Sequence, residues 1–158
     1  MRGKRAKIRV IAPDPMYGSA LIGKFINQVM QRGKKSVAQT IVYKSLDSIA
    51  KSSKKDAVKV FEEALRNVQP QLEIRTRRVG GANYQVPMPV RGERQNALAF
   101  RWIIGAARAK KGQAMAEKLA TVLLEASQGL GDAVKKRDEV HRMAEANKAF
   151  AHFARFSK

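Results

Sequence analysis

Cysteine is absent from the 158 residues of this chain, so the sequence excludes a disulfide framework, a thiolate zinc site and a cysteine nucleophile. Acidic residues are scarce, because 13 Asp and Glu stand against 32 Lys and Arg and leave a formal net charge of +19. Long apolar runs are also lacking: Arg101 interrupts the most apolar window, residues 97–107, and a membrane span needs roughly 18 apolar residues. The shortage of acid is the most informative of the three, since such a charge is typical of proteins that bind a polyanion, most often a nucleic acid.

Apolar residues make up 44% of the chain, which is sufficient for a hydrophobic core, and the length favours one domain over two. We expect residues 1–12 to form a basic N-terminal arm and residues 13–158 to form a single helical domain. The arm contains no acidic residue, and its basic residues are Arg2, Lys4, Arg5, Lys7 and Arg9. A secretory signal has an apolar stretch after its basic start, and no such stretch follows here. We therefore expect a cytoplasmic protein with no membrane partner.

Apolar residues recur at helical spacing in six segments, three before residue 70 and three after residue 93. Residues that favour helix ends flank the first three segments: Ser19 and Gly33 for the first, a capping box of Ser36 and Gln39 for the second, and Asp56 for the third. The sixth helix would begin at Asp132 as its N-cap and reach at least Lys148. Its apolar residues make no clean stripe, so we expect a loosely docked C-terminal helix.

The pattern changes to a period of two over residues 71–90, where apolar residues alternate with polar ones on both sides of Gly80 and Gly81. This predicts a β-hairpin with a glycine turn. No other segment has this pattern, so the hairpin has no sheet to join. The predicted fold class is mainly α, a six-helix domain with a protruding two-stranded β-hairpin between helices 3 and 4. Tyr84 would lie on the apolar side of the hairpin, where packing is the ordinary role and stacking on a base is the alternative.

The sequence contains no catalytic or metal-binding motif whose residues have the spacing that the chemistry requires. Residues 33–36 end like a phosphate-binding loop, but Gln28 stands where the first glycine belongs and Lys35 occupies the position of the magnesium-binding hydroxyl. His141 and His152 would be about 16 Å apart along a helix, which is too far for one metal ion. We therefore expect no catalytic residue, no metal site and no cofactor.

One predicted helix carries its arginines in a row. Arg94, Arg101 and Arg108 recur every seven residues, so they stay within about 40° of one another around the helix axis. An ordinary solvated face mixes both signs of charge, whereas this row holds no acid. Each guanidinium can also bind a phosphate through two hydrogen bonds. We call these three residues the arginine ridge and predict that they bind the phosphates of a nucleic acid.

The other basic residues that we assign to RNA binding lie in the hairpin, in loops and on the last helix: Arg75, Arg77, Arg78 and Arg91; Lys34 and Lys35; Lys110 and Lys111; Lys135 and Lys136. No helix-turn-helix, zinc finger or RNA-recognition motif is present in the sequence. Two other classes stay open on the residues alone. One is a DNA-architectural basic protein, which the hairpin arm suggests, and the other is a membrane-surface protein, which the basic helices suggest.

Three strings of sequence, in this order, resemble the small-subunit ribosomal protein seven family of the bacterial type: FINQVMQRGKK at residues 25–35, RRVGGANYQV at 77–86 and VHRMAEANKAFAH at 140–152. The resemblance covers nearly the whole chain. It implies a six-helix domain with a β-ribbon between helices 3 and 4, which agrees with the architecture that the periodicity predicts.

The resemblance further implies a structural constituent of the small ribosomal subunit. Such a protein is a primary binder of the 3′ major domain of small-subunit rRNA and nucleates assembly of the head. Its hairpin and C-terminal helix lie near the exit-site tRNA and the mRNA path, with ribosomal proteins nine and eleven as neighbours. Carried over to this sequence, the basic residues named above would contact rRNA, and the tRNA-facing positions would be Gly80, Gly81, Tyr84 and Arg142. The chain would act in the ribosome and not as a homo-oligomer.

Overall fold

The computed structural model describes Gly3 and residues 11–156. The chain divides into two compact units, Met1–Thr40 and Ile41–Lys158. The described elements follow in this order: α1 (Ala20–Val29), α2 (Lys35–Ser53), α3 (Ala57–Val68), β1 (Leu72–Val79), β2 (Ala82–Pro89), α4 (Glu93–Ala109), α5 (Met115–Ser127), α6 (Asp132–Ala146) and a 3₁₀ helix (Lys148–Phe156). The predicted fold class is confirmed: the protein is mainly helical, with one two-stranded antiparallel hairpin between the third and fourth helices.

The first unit contains a tight turn built on Asp14, which is almost wholly buried. The Asp14 carboxylate accepts hydrogen bonds from the backbone N–H groups of Met16 and Tyr17, at 3.1 and 3.2 Å. Such local bonds to the backbone favour a turn over a helix. Ser19 then caps α1 as predicted, because its hydroxyl accepts the backbone N–H of Ile22.

The end of α1 differs from the prediction. The helix ends at Val29 and not at Gly33, because Met30 already leaves the helical conformation with a ψ of 136°. The chain then reverses where Arg32 and Gly33 take positive φ values of 51° and 74°. Glycine at the second of these positions lowers the strain of the reversal.

The start of α2 also differs, and the predicted capping box of Ser36 and Gln39 is wrong. The carbonyl oxygen of Lys34 accepts the backbone N–H of Ala38 at 3.3 Å, so Lys34 holds the N-cap position and the helix begins at Lys35. Ser36 therefore already has a helical backbone and lies in the first turn. The chain reversal at Arg32 and Gly33 ends before Ser36, the residue that the sequence pattern marks as the cap.

The core of the second unit lies where α3, α4, α5 and α6 pack against one another. Asp56 caps α3 as predicted, since its carboxylate accepts the backbone N–H of Val58 at 3.0 Å. The buried stripe of α3 includes Val60, Phe61, Ala64, Leu65 and Val68. The side-chain amide of Asn67 donates to the carbonyl oxygens of Ala126 and Ser127 at 3.0 and 2.9 Å. These bonds satisfy two carbonyls at the end of α5, which a helix leaves without internal partners.

The hairpin has the glycine turn that the sequence predicts. Gly80 and Gly81 have φ values of 57° and 93°, and a two-residue turn of type I′ needs positive φ at both central positions. From this turn the antiparallel ladder runs without interruption to Leu72 opposite Pro89. The turn therefore fixes which residues of the two strands face each other.

The apolar residues of the two strands lie on opposite faces of the hairpin, so the prediction of one apolar side is wrong. A two-residue turn pairs even-numbered residues of β1 with odd-numbered residues of β2, and side chains directly opposite each other share a face. Tyr84 and Val86 consequently share a face with Arg77 and Arg75, while Ile74 lies on the other face. Both faces of the hairpin are mixed, and one of them carries Arg75 and Arg77 beside apolar residues.

The prediction that α6 docks loosely is also wrong. Its buried residues are few and mostly small: Ala133, Val134 and Ala144. Two hydrogen bonds add to them, since the Arg137 guanidinium donates to the carbonyl oxygen of Asn67 and Nε2 of His141 accepts the backbone N–H of Gln71 at 3.1 Å. Side-chain bonds to backbone groups some 70 residues away leave no periodic signal in the sequence, so the apolar pattern alone understates how α6 is held.

The boundaries of α6 differ from the prediction at both ends. Gly131, and not Asp132, is the N-cap, because its carbonyl oxygen accepts the backbone N–H of Lys135 at 3.1 Å. Its φ of 89° and ψ of 174° lie in a region that is strained for residues with a side chain. Asp132 is the first helical residue, where its negative charge still favours the helix N-terminus. The helix ends at Ala146 and a 3₁₀ helix follows Asn147, so the continuous α-helix predicted to reach Lys148 is shorter.

Candidate nucleic-acid interface

The arginine ridge lies on the exposed face of α4. Arg94, Arg101 and Arg108 are all exposed, and so is Gly105 between the last two. The rest of the helix surface packs against α3, α5 and α6 and buries Leu98, Ala99, Phe100, Ile103, Ile104, Ala106 and Ala107. Since the core fixes the rotation of α4 about its axis, it also fixes the direction in which the ridge faces.

The charges of the ridge differ in what surrounds them. Within the part of the chain that the structure describes, neither Arg101 nor Arg108 forms an ion pair with an acidic side chain, so both present an uncompensated charge to solvent. Lys111, just beyond the helix, is exposed as well. Lys110 is different, because its Nζ lies 2.6 Å from Oε1 of Glu125 and only 26% of its side chain is exposed. Two arginines of α4 therefore carry the least compensated charge of this region.

Glu73 joins the hairpin to the ridge. Its Oε1 accepts Nε of Arg75 at 2.5 Å and also pairs with Nη2 of that arginine, while its Oε2 lies 3.0 Å from both Nε and Nη2 of Arg94. The Glu73 side chain is 10% exposed, but the two arginine side chains are 53% and 46% exposed. The hairpin and the first residue of the ridge thus form one continuous basic surface. Sequence reasoning missed this link, because 21 residues separate Glu73 from Arg94.

The other positively charged residues of the hairpin lie on different faces. Arg77 is half-buried opposite Tyr84, whereas Arg78 is exposed on the other face beside Asn83. Arg91 is exposed where the hairpin leads into α4, and the two glycines of the turn are exposed at the tip. The exposed guanidinium groups therefore surround the hairpin and do not form a single row.

Tyr84 packs inside an aromatic cluster at the C-terminal end of the described chain. Its ring centroid lies 5.2 Å from that of Phe150 and 5.2 Å from that of Phe153, and the two phenylalanine rings are 6.4 Å apart. Both phenylalanines belong to the 3₁₀ helix, which packs on β2. Of the two roles considered for Tyr84, the structure places its ring in the packing role, half-buried on the hairpin.

Lys135 and Lys136 of α6 are paired with acids of the same helix. Nζ of Lys135 lies 3.4 Å from Oδ1 of Asp132, and Nζ of Lys136 lies 2.7 Å from Oε2 of Glu139. The hydrogen bond and the charge of Lys136 lower the pKa of Glu139, and the charge of Arg142, which is exposed, contributes further. The positive charge of this patch is therefore largely compensated before any partner arrives.

Arg137 points inward and takes a structural role. Its guanidinium bonds to the carbonyl oxygen of Asn67 and to Oδ1 of Asp138, with Nε 2.8 Å from that oxygen, and only 27% of the side chain is exposed. This arginine follows Lys135 and Lys136 directly in the sequence. Its neighbours in sequence are exposed and Arg137 is not, so this run of three basic residues does not form one surface.

In the first unit, Lys34 and Lys35 are exposed at the connection between α1 and α2, together with Arg32. Sequence reasoning did not single out Arg32, although it stands beside the glycine that marks the reversal. The predicted arm residues lie outside the described residues: Arg2, Lys4, Arg5, Lys7 and Arg9.

Within Gly3 and residues 11–156, no group of three or more His, Cys, Asp or Glu side chains is placed to hold a metal ion. Over that same part of the chain, none of the helices combines the length and the hydropathy that a bilayer crossing requires. Nor does any buried side-chain nitrogen or oxygen there lack a hydrogen-bond partner. The distinctive chemistry of these residues therefore lies in their exposed guanidinium and ammonium groups.

Comparison with known proteins gives an independent result. A family model described as ribosomal protein S7p/S5e matches residues 1–148. A protein of Marinobacter nauticus is 55% identical over 152 residues, which cover 96% of this chain and 97% of that protein. Proteins of Fervidobacterium nodosum and Thermotoga maritima are 52% and 54% identical over 153 residues, with 97% of this chain and 99% of each relative covered. All three relatives are named small ribosomal subunit protein uS7.

Proposed function

This chain belongs to the ribosomal protein S7p/S5e family, and from that premise we propose that it is a primary binder of the 3′ major domain of small-subunit rRNA and nucleates assembly of the subunit head. Family membership itself makes the chain a structural protein of the small ribosomal subunit and not an enzyme, as predicted. It acts in translation, in the cytoplasmic ribosome, with small-subunit rRNA as its partner.

The observation that carries the proposal is the continuous basic surface of the hairpin base and α4. Glu73 holds Arg75 of the hairpin beside Arg94, and the exposed face of α4 continues from there to Arg101 and Arg108. Folded RNA presents closely spaced phosphates, and a planar guanidinium group matches the geometry of a phosphate better than a lysine ammonium does. The buried face of the same helix is occupied by the core, so a partner of α4 meets its exposed face.

We propose that the rRNA contacts are made by the predicted basic residues of the arm, the loops, the hairpin, the ridge and α6: Arg2, Lys4, Arg5, Lys7, Arg9, Lys34, Lys35, Arg75, Arg77, Arg78, Arg91, Arg94, Arg101, Arg108, Lys110, Lys111, Lys135 and Lys136. The exposed and uncompensated members of this set should contribute most. Residues 1–12 would act as an arm that orders on RNA, and residues 13–158 as one RNA-binding domain.

We further propose that the hairpin tip and α6 face the exit-site tRNA and the mRNA path, with ribosomal proteins nine and eleven as neighbours. Gly80 and Gly81 are exposed at the tip, and Arg142 is exposed on α6. Tyr84 would support this face through its packing with the 3₁₀ helix, because its ring is half-buried.

The rRNA proposal is tested by titrating the full chain with a transcript of the 3′ major domain and measuring retention on filters. Replacing Arg75, Arg77 and Arg78 together by alanine should remove most of the affinity and leave the helical circular dichroism unchanged. The matched control replaces three exposed lysines of α2 and the turn after it, Lys44, Lys51 and Lys54, which removes the same charge elsewhere. Equal losses in both triple variants would show that affinity follows net charge and not this surface.

The DNA-architectural alternative is tested by competition. A DNA duplex and the folded rRNA fragment compete for the chain at the same salt concentration, because non-specific affinity depends strongly on salt. We expect the rRNA fragment to displace the duplex. A preference for the duplex would favour the alternative.

The absence of cysteine makes the tRNA proposal testable by site-directed crosslinking. Ala82, exposed beside the turn, is replaced by cysteine, and Ser52, exposed on α2, is replaced by cysteine as the control. A photoreactive probe on Ala82→Cys should crosslink exit-site tRNA in assembled subunits, and the probe on Ser52→Cys should not. No crosslink from the hairpin position would count against a tRNA-facing tip.

A further inference from the structure

We propose that Glu73 is a positioning residue, which holds Arg75 and Arg94 as a preformed fork for the phosphodiester backbone of folded RNA. This inference rests on the proposed function and adds to it a role for an acid inside a basic surface. Among the hairpin residues on the strand that carries the arginines, Glu73 is the one acid, and it is buried. An acid at a surface that binds a polyanion opposes binding by its charge, so its presence there needs a reason.

The geometry of the two ion pairs supplies that reason. Each arginine bonds to one carboxylate oxygen through its Nε and Nη2 atoms, which form the side edge of the guanidinium group. A guanidinium carries five N–H donors. The side edge uses two of them, so three donors remain, and one on Nη1 and one on Nη2 form the end edge of each group. That end edge can bind a phosphate through two parallel hydrogen bonds.

A positioning role requires a buried carboxylate and guanidinium groups that a phosphate can reach, and the three side chains meet both requirements. The Glu73 side chain is 10% exposed, which fixes the carboxylate, whereas the Arg75 and Arg94 side chains are 53% and 46% exposed. Two guanidinium groups on one carboxylate leave a net charge of +1, so the group still attracts an anion. The fixed carboxylate also joins β1 to α4, so one arginine comes from the hairpin and the other from the ridge.

Holding both arginines before RNA arrives should raise affinity for a matching phosphate arrangement. A flexible arginine loses side-chain entropy when it binds, and each side chain immobilised in advance saves part of that loss, equivalent to about a three- to tenfold change in affinity. The gain applies only to an RNA whose phosphates fit the fixed fork. Glu73 should therefore increase the preference for folded rRNA over a plain duplex, although its charge alone would weaken binding to both.

The test compares Glu73→Gln with Glu117→Gln in the full chain. Glu117 is exposed on α5 and forms no ion pair with another described side chain, so its replacement adds the same charge without touching the fork. The probes are the 3′ major domain transcript and a short, fully paired RNA duplex, titrated at equal salt. We expect Glu73→Gln to lower the affinity for the transcript about three- to tenfold relative to Glu117→Gln, while the two variants bind the duplex equally.

A second variant keeps the inference testable if Glu73→Gln loses its fold, which circular dichroism and a thermal melt would reveal. Arg75→Lys keeps the positive charge and the pairing with Glu73 but has no end edge. It should also lose about three- to tenfold in affinity for the transcript and keep its affinity for the duplex. In the double variant, adding Glu73→Gln to Arg75→Lys should lower the affinity for the transcript by a smaller factor than Glu73→Gln does alone. Both changes act on the same three side chains, so their effects are not independent.

Two results would overturn the inference in distinguishable ways. If the unchanged chain prefers the transcript but Glu73→Gln and Glu117→Gln bind both probes equally, the positioning role is wrong and the proposed function stands. If the unchanged chain binds the transcript no better than the duplex, both the proposed function and the positioning role fail.

Discussion

Helices α4 and α6 both present basic residues to solvent, and the sequence predicts that both contact rRNA, yet their charges differ. α4 holds three arginines and one acid, whereas α6 holds four basic and four acidic residues. On α6 the lysines pair with acids at a spacing of three residues and Arg137 bonds into the protein, while Arg101 and Arg108 on α4 have no acidic partner among the described residues. The difference teaches that a count of basic residues does not measure the charge that a surface offers to RNA.

The physical reason is that each lysine of α6 is matched by one acid, so little net charge is left for a phosphate, whereas the two arginines on Glu73 leave a net charge of +1. Exposed ion pairs contribute little to stability, so a phosphate can displace the acid, but the acid then lies close to the phosphate and repels it. A charge without a partner binds phosphate and releases a counterion without that cost. We therefore expect α4 to contribute most of the electrostatic affinity and α6 to contribute less.

The largest expected effect comes from replacing Arg101 and Arg108 together by alanine. Each lost hydrogen-bonded charge should weaken binding to the 3′ major domain transcript about tenfold, and together about 100-fold. The matched variant, with Lys135 and Lys136 replaced by alanine, removes the same charge from α6 and should lose less than about fivefold. Filter-binding titrations at one salt concentration measure both. Similar losses would break the distinction between the two helices.

Arg137 sharpens the comparison because it is basic but structural. Replacement by alanine leaves the carbonyl of Asn67 without its guanidinium donor, so the free energy of unfolding should fall by about 1–3 kcal/mol. The exposed Arg142→Ala serves as the control and should change stability by less than about 0.5 kcal/mol. Urea denaturation followed by circular dichroism measures both values. An Arg137→Ala chain as stable as the control would mean that this contact does not hold α6.

The sequence predicts the elements of this fold better than their connections. Apolar periodicity locates the six helices, and Gly80 with Gly81 locates the hairpin turn, because these signals depend on residues close together in the chain. The sharing of Glu73 by Arg75 and Arg94 depends on how the hairpin returns to α4, which no local pattern encodes. The inward direction of Arg137 depends in the same way on Asn67, 70 residues earlier.

Two further misses have local causes that are visible only in the backbone. Each strand alone shows a regular alternation of apolar residues. The two-residue turn, however, pairs Tyr84 with Arg77, so the two side chains lie on the same face. Gly131 replaces Asp132 as a helix cap because its backbone conformation, not its side chain, starts the helix. Asp, Ser and Thr are favoured caps on average, but a glycine that reverses the chain takes precedence.

Replacing Gly105 by alanine tests whether a glycine on the exposed face of α4 lowers the stability of the helix. A Cβ added there meets no atom within 4 Å, and a glycine inside a helix costs about 0.5–1 kcal/mol relative to alanine. Gly105→Ala should therefore raise the free energy of unfolding by about that amount in a thermal or urea melt. A loss of stability would indicate a contact at this face that the structure does not contain.

The smallest expected effect concerns the charge pairing on α6. The Lys136 ammonium lowers the pKa of Glu139, so this carboxylate favours the folded state at neutral pH and loses that contribution as the pH falls through the lowered pKa. In Lys136→Ala the pKa of Glu139 should rise towards the ordinary value for a glutamate. A carboxyl-detected NMR titration measures the change. An unchanged pKa would show that the lysine does not compensate this acid in solution.

The most direct test of the central claim is the salt dependence of rRNA binding by the two charge-matched double variants. Each phosphate contact contributes about 0.7–0.9 to the slope of log affinity against log salt concentration, so replacing Arg101 and Arg108 should reduce the slope by about 1.4–1.8. Replacing Lys135 and Lys136 should reduce it by less than about half of that, because those charges are compensated by acids of their own helix. Equal reductions in the two variants would contradict the account, since they would mean that α4 and α6 offer RNA the same charge.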